Sequence, residues 1–315
     1  MEAMLDKKSS WPGFLEHMNR ADAPVEMNWP NFIAVGPHHT GSTSLYIHLK
    51  RHPEVFLPSL PSKTSVRVFQ PEHPKCADPE VCRNLYAGGK DYRAIGEVFP
   101  DYLADPNVPA RIQEVSPAAR IIIMLRDPVE RAYSHYLDFR YANPKGAATE
   151  PARSFREALR RYDDRSSSKW GLSQEYIEHS LYHASVRRYL DTFGTDQVQI
   201  LLFADLVKNP NQVMAQIARH IGVDPGFFDK VDASRDGHPF RTPRFAGINW
   251  ARTHGISGLV PATLKTAVRP LLFSYRKPPL DDESRRLLQK LFDPDITRLE
   301  ELLGRDLPEL RKSWI

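Results

Sequence analysis

Residues 32–45 constrain the fold more than any other stretch, because an apolar run, a glycine-bracketed loop and an amphipathic segment follow one another there. This order predicts a strand, a loop and a helix. Gly36 and Gly41 have the spacing of loops in which glycine lets backbone N–H groups close around a phosphate at a helix N-terminus. Ser42 stands where triphosphate-binding loops carry a lysine. The loop is therefore predicted to bind phosphate without handling a triphosphate; the alternative is a serine-rich turn.

The predicted anion contacts form one continuous run along this loop. Amides and hydroxyls of the first helical turn supply the donors at its far end. The run consists of His38, His39, Thr40, Gly41, Ser42, Thr43 and Ser44.

A second apolar run, at residues 120–126, is continuous and rich in β-branched side chains. Such a run is typical of a strand that is buried on both faces of a parallel sheet. Asp127 and Pro128 then predict a capped helix that reaches about Tyr141. Further strands are predicted at 52–58, 92–96 (ending on Glu97) and 198–203. Further helices are predicted at 42–51, from after Pro151 to about Asp163, at 173–193 and at 211–221.

This alternation predicts an α/β fold, a single P-loop-like domain with a central, mostly parallel sheet flanked by helices. The domain is predicted to span residues 31–315, preceded by an extension at 1–30 with one short helix around Trp11 to Met18. Residues 235–280 are predicted to form a loop-rich cover over the substrate or nucleotide. A charged amphipathic helix is predicted from Asp281 to Leu303.

Composition limits the classes of partner. The formal net charge of +4 over 315 residues is too small to indicate nucleic-acid binding but suits a small anionic ligand. No metal-ligand spacing is present, so no metal is predicted; Cys76 and Cys82 either pair across a short loop or remain thiols. Residues 1–30 contain no apolar run of signal-peptide or membrane-span length, which favours a soluble, cytoplasmic protein.

A second anion site is predicted at the end of the 120–126 run. Arg126 stands at the carboxyl edge of that strand, where open α/β sheets bind ligands. Ser134 follows two helical turns later on the same helix face. An arginine fork and a serine hydroxyl together can hold a monophosphate. The glycine-bracketed loop and the clamp formed by Arg126 and Ser134 together imply a nucleotide with two separate anionic groups.

With these residues the sequence resembles the sulfotransferases that use 3′-phosphoadenosine 5′-phosphosulfate (PAPS). Residues 36–45 look like the family's 5′-phosphosulfate loop, and Leu-Arg-Asp-Pro-Val-Glu-Arg-Ala-Tyr-Ser at 125–134 is similar to its 3′-phosphate motif, R-[DN]-P-x-x-R-x-x-S. The resemblance covers residues 31 to about 222 and resumes at 302–307. It implies PAPS as donor and in-line sulfuryl transfer without a metal.

The carbohydrate branch, which includes the heparan sulfate sulfotransferases, is resembled most. Residues 97–102 are similar to its E-x-x-P-x-Y segment, which implies Glu97 as general base, although a solvated carboxylate at a strand end is the alternative. Lys63 ends a segment that resembles one with a functional lysine. His39 stands where the family usually carries a lysine or arginine near the leaving oxygen, so that His39 or Lys63 is predicted to neutralise the leaving phosphate.

The remaining predictions concern the nucleotide and the acceptor. Tyr182 either contacts the adenine or belongs to the core, and Arg235 and Arg241 lie in a loop that the family often closes over the nucleotide. The predicted acceptor is a hydroxyl, in second place an amine, of a carbohydrate, glycolipid or secondary metabolite. Two rival functions are a P-loop kinase, which would need the lysine that Ser42 replaces, and a non-catalytic nucleotide-binding module, which His39 favours.

Overall fold

The structure is a computed structural model that describes residues 10–20, 27–58, 66–73, 78–142, 152, 154–163, 171–231, 242–243, 273–274 and 277–314. Its helices are α1 Trp11–Met18, α2 Ser42–Lys50, α3 Pro79–Ala87, α4 Val108–Val115, α5 Pro128–Leu137, α6 Phe155–Asp163, α7 Gly171–Glu178, α8 His183–Gln197, α9 Phe203–Lys208, α10 Pro210–Ile221, α11 Phe227–Lys230 and α12 Asp282–Leu303. The strands are β1 Phe32–Val35, β2 Val55–Phe56, β3 Ala94–Val98, β4 Arg120–Leu125, β5 Val198–Leu202, β6 Thr242–Pro243 and β7 Phe273–Ser274. Short 3₁₀ segments cover Pro100–Leu103 and Pro308–Trp314, and a π-helical turn covers Asp138–Ala142.

The chain folds as two compact units. The first contains Met1–Arg126 and His183–Asp236, and the second contains Asp127–Tyr182 and Gly237–Ile315. The predicted bounds of a domain at 31–315 stay a prediction. The predicted helix at Trp11–Met18 is confirmed.

A five-stranded parallel sheet of order β2-β3-β1-β4-β5 forms the centre of the first unit. This confirms the predicted α/β class. Strand β1 lies between β3 and β4, so the chain after β1, β3 and β4 leaves the sheet at one carboxyl edge. Ligands bind at this edge of an open parallel sheet, at the point where the strand order reverses. The topology therefore brings the predicted loop, Glu97 and Arg126 to the same edge.

Both faces of the sheet are covered, as the continuous apolar runs predicted. Phe32 and Ala34 of β1 pack with Met124 of β4 in one cluster, which helices α2 and α10 complete through Leu45 and Met214. The alternate residues of these strands are also buried. Burial on both faces fixes the register of each strand, since a one-residue shift would exchange its two sets of side chains.

The tightest contact within the sheet lies between β1 and β3. Gly96 pairs with Phe32, whose ring occupies the space that a Cβ on Gly96 would need, at 2.0 Å from the nearest ring carbon. We expect Gly96→Ala to lower the free energy of unfolding by about 1–3 kcal/mol, the usual cost of overpacking. Urea denaturation measures this change in the free energy of unfolding. Gly226→Ala is the control, because its nearest neighbour is the carboxylate of Asp224, which can move, and we expect a change below about 0.5 kcal/mol. Equal midpoints for the two variants would contradict this account.

The single helix predicted at 173–193 is wrong: α7 ends at Glu178 and α8 begins at His183. In an uninterrupted helix the Tyr182 N–H would bond to the Glu178 carbonyl. Instead it donates to Asp295 Oδ2 at 2.6 Å, and the Ser180 hydroxyl donates to the Tyr176 carbonyl at 2.8 Å. A partner distant in sequence, Asp295, and a local bond from the Ser180 hydroxyl therefore interrupt the periodic pattern. The other predicted elements lie within a few residues of the observed ones, and the Asp127 cap is confirmed by bonds from the Val129 and Glu130 amides.

Candidate active site

The glycine-bracketed loop follows β1 directly and turns sharply into α2. A Cβ on Gly36 would lie 2.5 Å from the Met124 carbonyl oxygen, so only glycine lets the loop leave the sheet this close to β4. The Thr40 hydroxyl donates to the Pro37 carbonyl at 2.8 Å and closes the turn from within. Gly41, in the left-handed region at φ 92°, precedes the first residue of α2 and offers no side chain to its amides. The first-turn amides are the groups that an anion can satisfy.

Arg126 reaches this loop from the end of β4. Its Nη1 donates to the His39 carbonyl at 2.9 Å, and its guanidinium lies 4.9 Å from the ring centroid of Phe203, the first residue of α9. His39 has φ 72°, an uncommon conformation for a non-glycine residue that turns its carbonyl toward Arg126. The structure thus brings together two parts that the sequence predicted separately. A guanidinium carries five donors, so one carbonyl bond does not exhaust its capacity for an anion.

Glu97 is buried inside β3, with 5% of its surface exposed. Strand β3 continues one residue beyond the predicted end, to Val98, which pairs with Ala34. The alternative of a solvated carboxylate is wrong because Glu97 is buried. The Tyr102 hydroxyl donates to Oε2 at 3.0 Å and the Arg67 amide to Oε1 at 2.9 Å. Burial raises the pKa of Glu97 to about 7, and these hydrogen bonds, with one from the Val68 amide, keep it from rising further.

Two buried tyrosines belong to the surroundings of Glu97. Burial and the Glu97 carboxylate raise the pKa of both Tyr86 and Tyr102 well above 10. The Tyr102 hydroxyl also accepts from the Phe69 amide at 3.2 Å, so the same group holds the carboxylate and the 67–69 turn. The E-x-x-P-x-Y pattern contains Tyr102, and its tyrosine was the available signal. Tyr86 and Arg67 carried no such signal.

His38 of the loop has a carboxylate partner that the sequence did not predict. Its Nε2 lies 2.5 Å from Asp101 Oδ1, and Asp101 Oδ2 lies 3.1 Å from Arg67 Nη2. Asp101 occupies the 3₁₀ segment that follows β3. The loop, the strand carrying Glu97 and the 67–69 turn are therefore connected by polar contacts.

The second unit holds the rest of the predicted phosphate motif. Ser134 is buried on α5. Arg131, the motif's second arginine, is fully buried and binds the end of α7: its Nη2 donates to the Glu175 and Tyr176 carbonyls at 2.9 and 2.6 Å. Arg126 and Ser134 belong to different units, so the clamp that they would form stays a prediction.

The side chain of Tyr182 is fully buried, as a core residue would be, and its contact with adenine also stays a prediction. Four predicted residues, namely Lys63, Cys76, Arg235 and Arg241, lie outside the described residues. Within the described ranges, no three His, Cys, Asp or Glu side chains are arranged to hold a metal ion. No helix in that part of the chain combines the length and the apolar character needed to cross a bilayer.

The chain is similar to known proteins in sequence and in fold. A sequence model of the sulfotransferase family matches residues 109–229. A solved sulfotransferase from Alicyclobacillus acidocaldarius is 28% identical with a TM-score of 0.65, and the match covers 90% of this chain and 100% of that one. The human bifunctional heparan sulfate N-deacetylase/N-sulfotransferase 3 is 25% identical over 91% of this chain and 31% of its own length. The membrane-associated sulfotransferase kil1 of Dictyostelium discoideum is 32% identical over 34% of this chain and 22% of its own.

The chain thus spans about a third or less of the length of these two curated relatives. The solved bacterial structure, by contrast, is matched over its whole length. Sequence similarity, the parallel sheet and the loop at its carboxyl edge agree with one another. This chain is similar to sulfotransferases in sequence and in fold.

Proposed function

We propose that this protein transfers the sulfuryl group of PAPS to a hydroxyl, or in second place an amine, of a carbohydrate, glycolipid or secondary-metabolite acceptor. The observation that carries the proposal is the loop between Gly36 and Gly41 joined to Arg126 through the His39 carbonyl. An anion-binding loop with serine in place of the triphosphate lysine, and a guanidinium beside it, suit a donor with two separate anionic groups.

Sulfuryl transfer requires alignment of donor and acceptor and stabilisation of charge on the leaving phosphate. The first-turn amides of α2 and the side chain of His39 are proposed to meet that charge, and Lys63 is a second candidate from the sequence. Glu97 is proposed to take the proton of the acceptor. A carboxylate has about four lone-pair sites, so its bonds to the Arg67 and Val68 amides and to Tyr102 still leave room for an acceptor proton. A pKa of about 7 suits a base that works near neutral pH.

The acceptor class is proposed from the relatives. The human relative is named as a heparan sulfate N-sulfotransferase, which supports a saccharide acceptor and is the reason to keep an amine in second place. The two rival functions give different binding profiles. A kinase would bind ATP in preference to 3′-phosphoadenosine 5′-phosphate (PAP), and a non-catalytic module would bind PAP without transferring sulfuryl groups.

We expect Arg126→Ala to weaken PAP binding by ~10–150-fold, because a hydrogen bond to a charged group contributes about 1.5–3 kcal/mol. Isothermal titration of the purified chain with PAP, beside ATP and ADP, measures this. Arg120→Ala is the matched control: Arg120 stands at the other end of β4, is exposed and donates to the Asp196 carbonyl. We expect its PAP affinity to equal that of the wild type. Absent PAP binding in the wild type, or equal binding of ATP, would overturn the proposed donor.

A further inference from the structure

A continuous set of polar contacts leads from the phosphate loop to the buried glutamate. His38 Nε2 meets Asp101 Oδ1 at 2.5 Å, and Asp101 Oδ2 meets Arg67 Nη2 at 3.1 Å. The Arg67 amide in turn donates to Glu97 Oε1 at 2.9 Å. Asp101 is therefore the one residue of this set that contacts a side chain of the loop and a side chain of the 67–69 turn.

The carboxylate of Asp101 is held firmly on both sides. Its neighbour Tyr102 is fully buried, with the hydroxyl bonded to Glu97 and the carbonyl bonded to Tyr189 Oη at 2.9 Å. Arg67 is fixed by its amide, and its guanidinium lies 4.3 Å from the ring centroid of Phe99. A group anchored in this way orients its partner at little further cost in conformational entropy.

The geometry determines which nitrogen of His38 carries a proton. Asp101 accepts from Nε2, so Nε2 is an N–H in every state in which the pair is formed, and Nδ1 is the ring nitrogen left for other contacts. The pair restricts both the tautomer and the orientation of an imidazole that has 40% of its side chain exposed. Because Ser42 replaces the lysine of triphosphate-binding loops, a histidine side chain held in one orientation would contribute more to anion binding in this loop.

We propose that Asp101 is a positioning residue for the phosphate loop: it fixes the orientation and tautomer of His38, through which it supports binding of the nucleotide donor. This inference rests on the proposed function. It assigns a role to a carboxylate beside an anion site, where charge alone would predict the opposite effect. Removing a negative charge near the loop should strengthen the binding of an anion unless that carboxylate has another task.

The direction in which PAP affinity changes when Asp101 is replaced tests the proposal. We expect Asp101→Ala to weaken PAP binding by ~10–100-fold in isothermal titration, the range seen when a residue that orients a metal-binding histidine is removed. Asp101→Asn, whose amide oxygen can still accept from Nε2, should restore part of the affinity. Asp105→Ala is the matched control for charge, because its carboxylate accepts from Gln70 Nε2 at 2.8 Å and from the Asn107 amide. Unchanged or tighter binding by Asp101→Ala would overturn the proposal.

A double-mutant cycle and a spectrum separate positioning from a general structural effect. In a His38→Ala background we expect Asp101→Ala to cause no further loss of PAP affinity, whereas additive losses would mean that Asp101 does not act through His38. The ¹⁵N shifts of the His38 ring should report a protonated Nε2 in the wild type and a tautomer mixture in Asp101→Ala. Identical ¹⁵N spectra of the His38 ring in the wild type and in Asp101→Ala would also refute the proposal. Wild-type protein that binds no PAP overturns the proposed function itself, while normal wild-type binding with an additive cycle overturns this inference alone.

Discussion

Glu97→Gln is expected to lower kcat by ~10²–10⁴-fold, the usual contribution of a general base. The wild-type rate should rise with pH and level off above about 7, because burial raises the pKa of Glu97 to about 7 and only the ionised form accepts a proton. The measurement is a pH profile of sulfuryl transfer from PAPS to an acceptor found by screening. PAP affinity should stay at the wild-type value, since Glu97 is assigned to the acceptor.

Tyr102→Phe is the matched variant for this profile. It removes the hydrogen bond that lowers the Glu97 pKa, so the ascending part of the profile should move to higher pH. An unchanged rate in Glu97→Gln would show that Glu97 is not the base. The glutamine carbonyl can still accept from Arg67 or Tyr102, and Glu97 would then serve as the anchor of the 67–69 turn.

The raised pKa of Glu97 also has a consequence for stability. The folded protein retains a proton that the unfolded chain, with an ordinary glutamate pKa near 4.5, has already lost. The contribution of Glu97 to stability is therefore fully present below about pH 4.5 and declines as pH rises toward 7. The Gln variant should lack this part of the pH dependence.

Arg131→Met is expected to lower the free energy of unfolding by at least about 3 kcal/mol. The fully buried guanidinium donates to the Ser180 hydroxyl at 2.6 Å and to the Glu175 and Tyr176 carbonyls, and its Nη1 lies 3.2 Å from His135 Nδ1. Each buried acceptor left without a donor costs about 1–3 kcal/mol, and methionine offers none. Urea or thermal denaturation followed by circular dichroism measures the loss.

The control for Arg131 is a partly exposed arginine of the same unit. Arg161 on α6 has 40% of its side chain exposed and pairs with Glu157 one turn away. We expect Arg161→Met to change stability by only about 0.3–0.5 kcal/mol. If Arg131→Met were equally mild, the hydrogen bonds at the end of α7 would not stabilise this unit. The motif's second arginine would then need another explanation.

Some residues of the candidate site could be predicted from the sequence, whereas the contacts between them could not. Gly36 and Gly41 could be read from spacing, and Arg126 from its place after an apolar run, because both signals are local. The bond between Arg126 and the His39 carbonyl could not be read, since it joins residues that are neighbours only after β1 and β4 pair. Asp101 could not be predicted as the partner of His38 for the same reason, because the two residues become neighbours only in the folded chain.

Long-range hydrogen bonds also explain why the helix predicted at 173–193 is wrong. The periodic pattern at 173–193 favours one helix, yet Asp295 takes the Tyr182 amide and Arg131 takes the Tyr176 carbonyl. Neither partner lies within the pattern. Local propensity is a small preference per residue, and a few buried bonds of this kind exceed it.

The sequence by itself determined the parallel sheet and the position of the glycine-bracketed loop, because apolar runs, glycine spacing and a capping aspartate act over a few residues. Only the tertiary structure decided the surroundings of Glu97. Its burial, its bonds from Tyr102 and the Arg67 amide, and hence its pKa depend on segments that meet at the carboxyl edge of the sheet. The free energy of a buried charge is set by all groups within a few ångströms, and the fold alone brings them there.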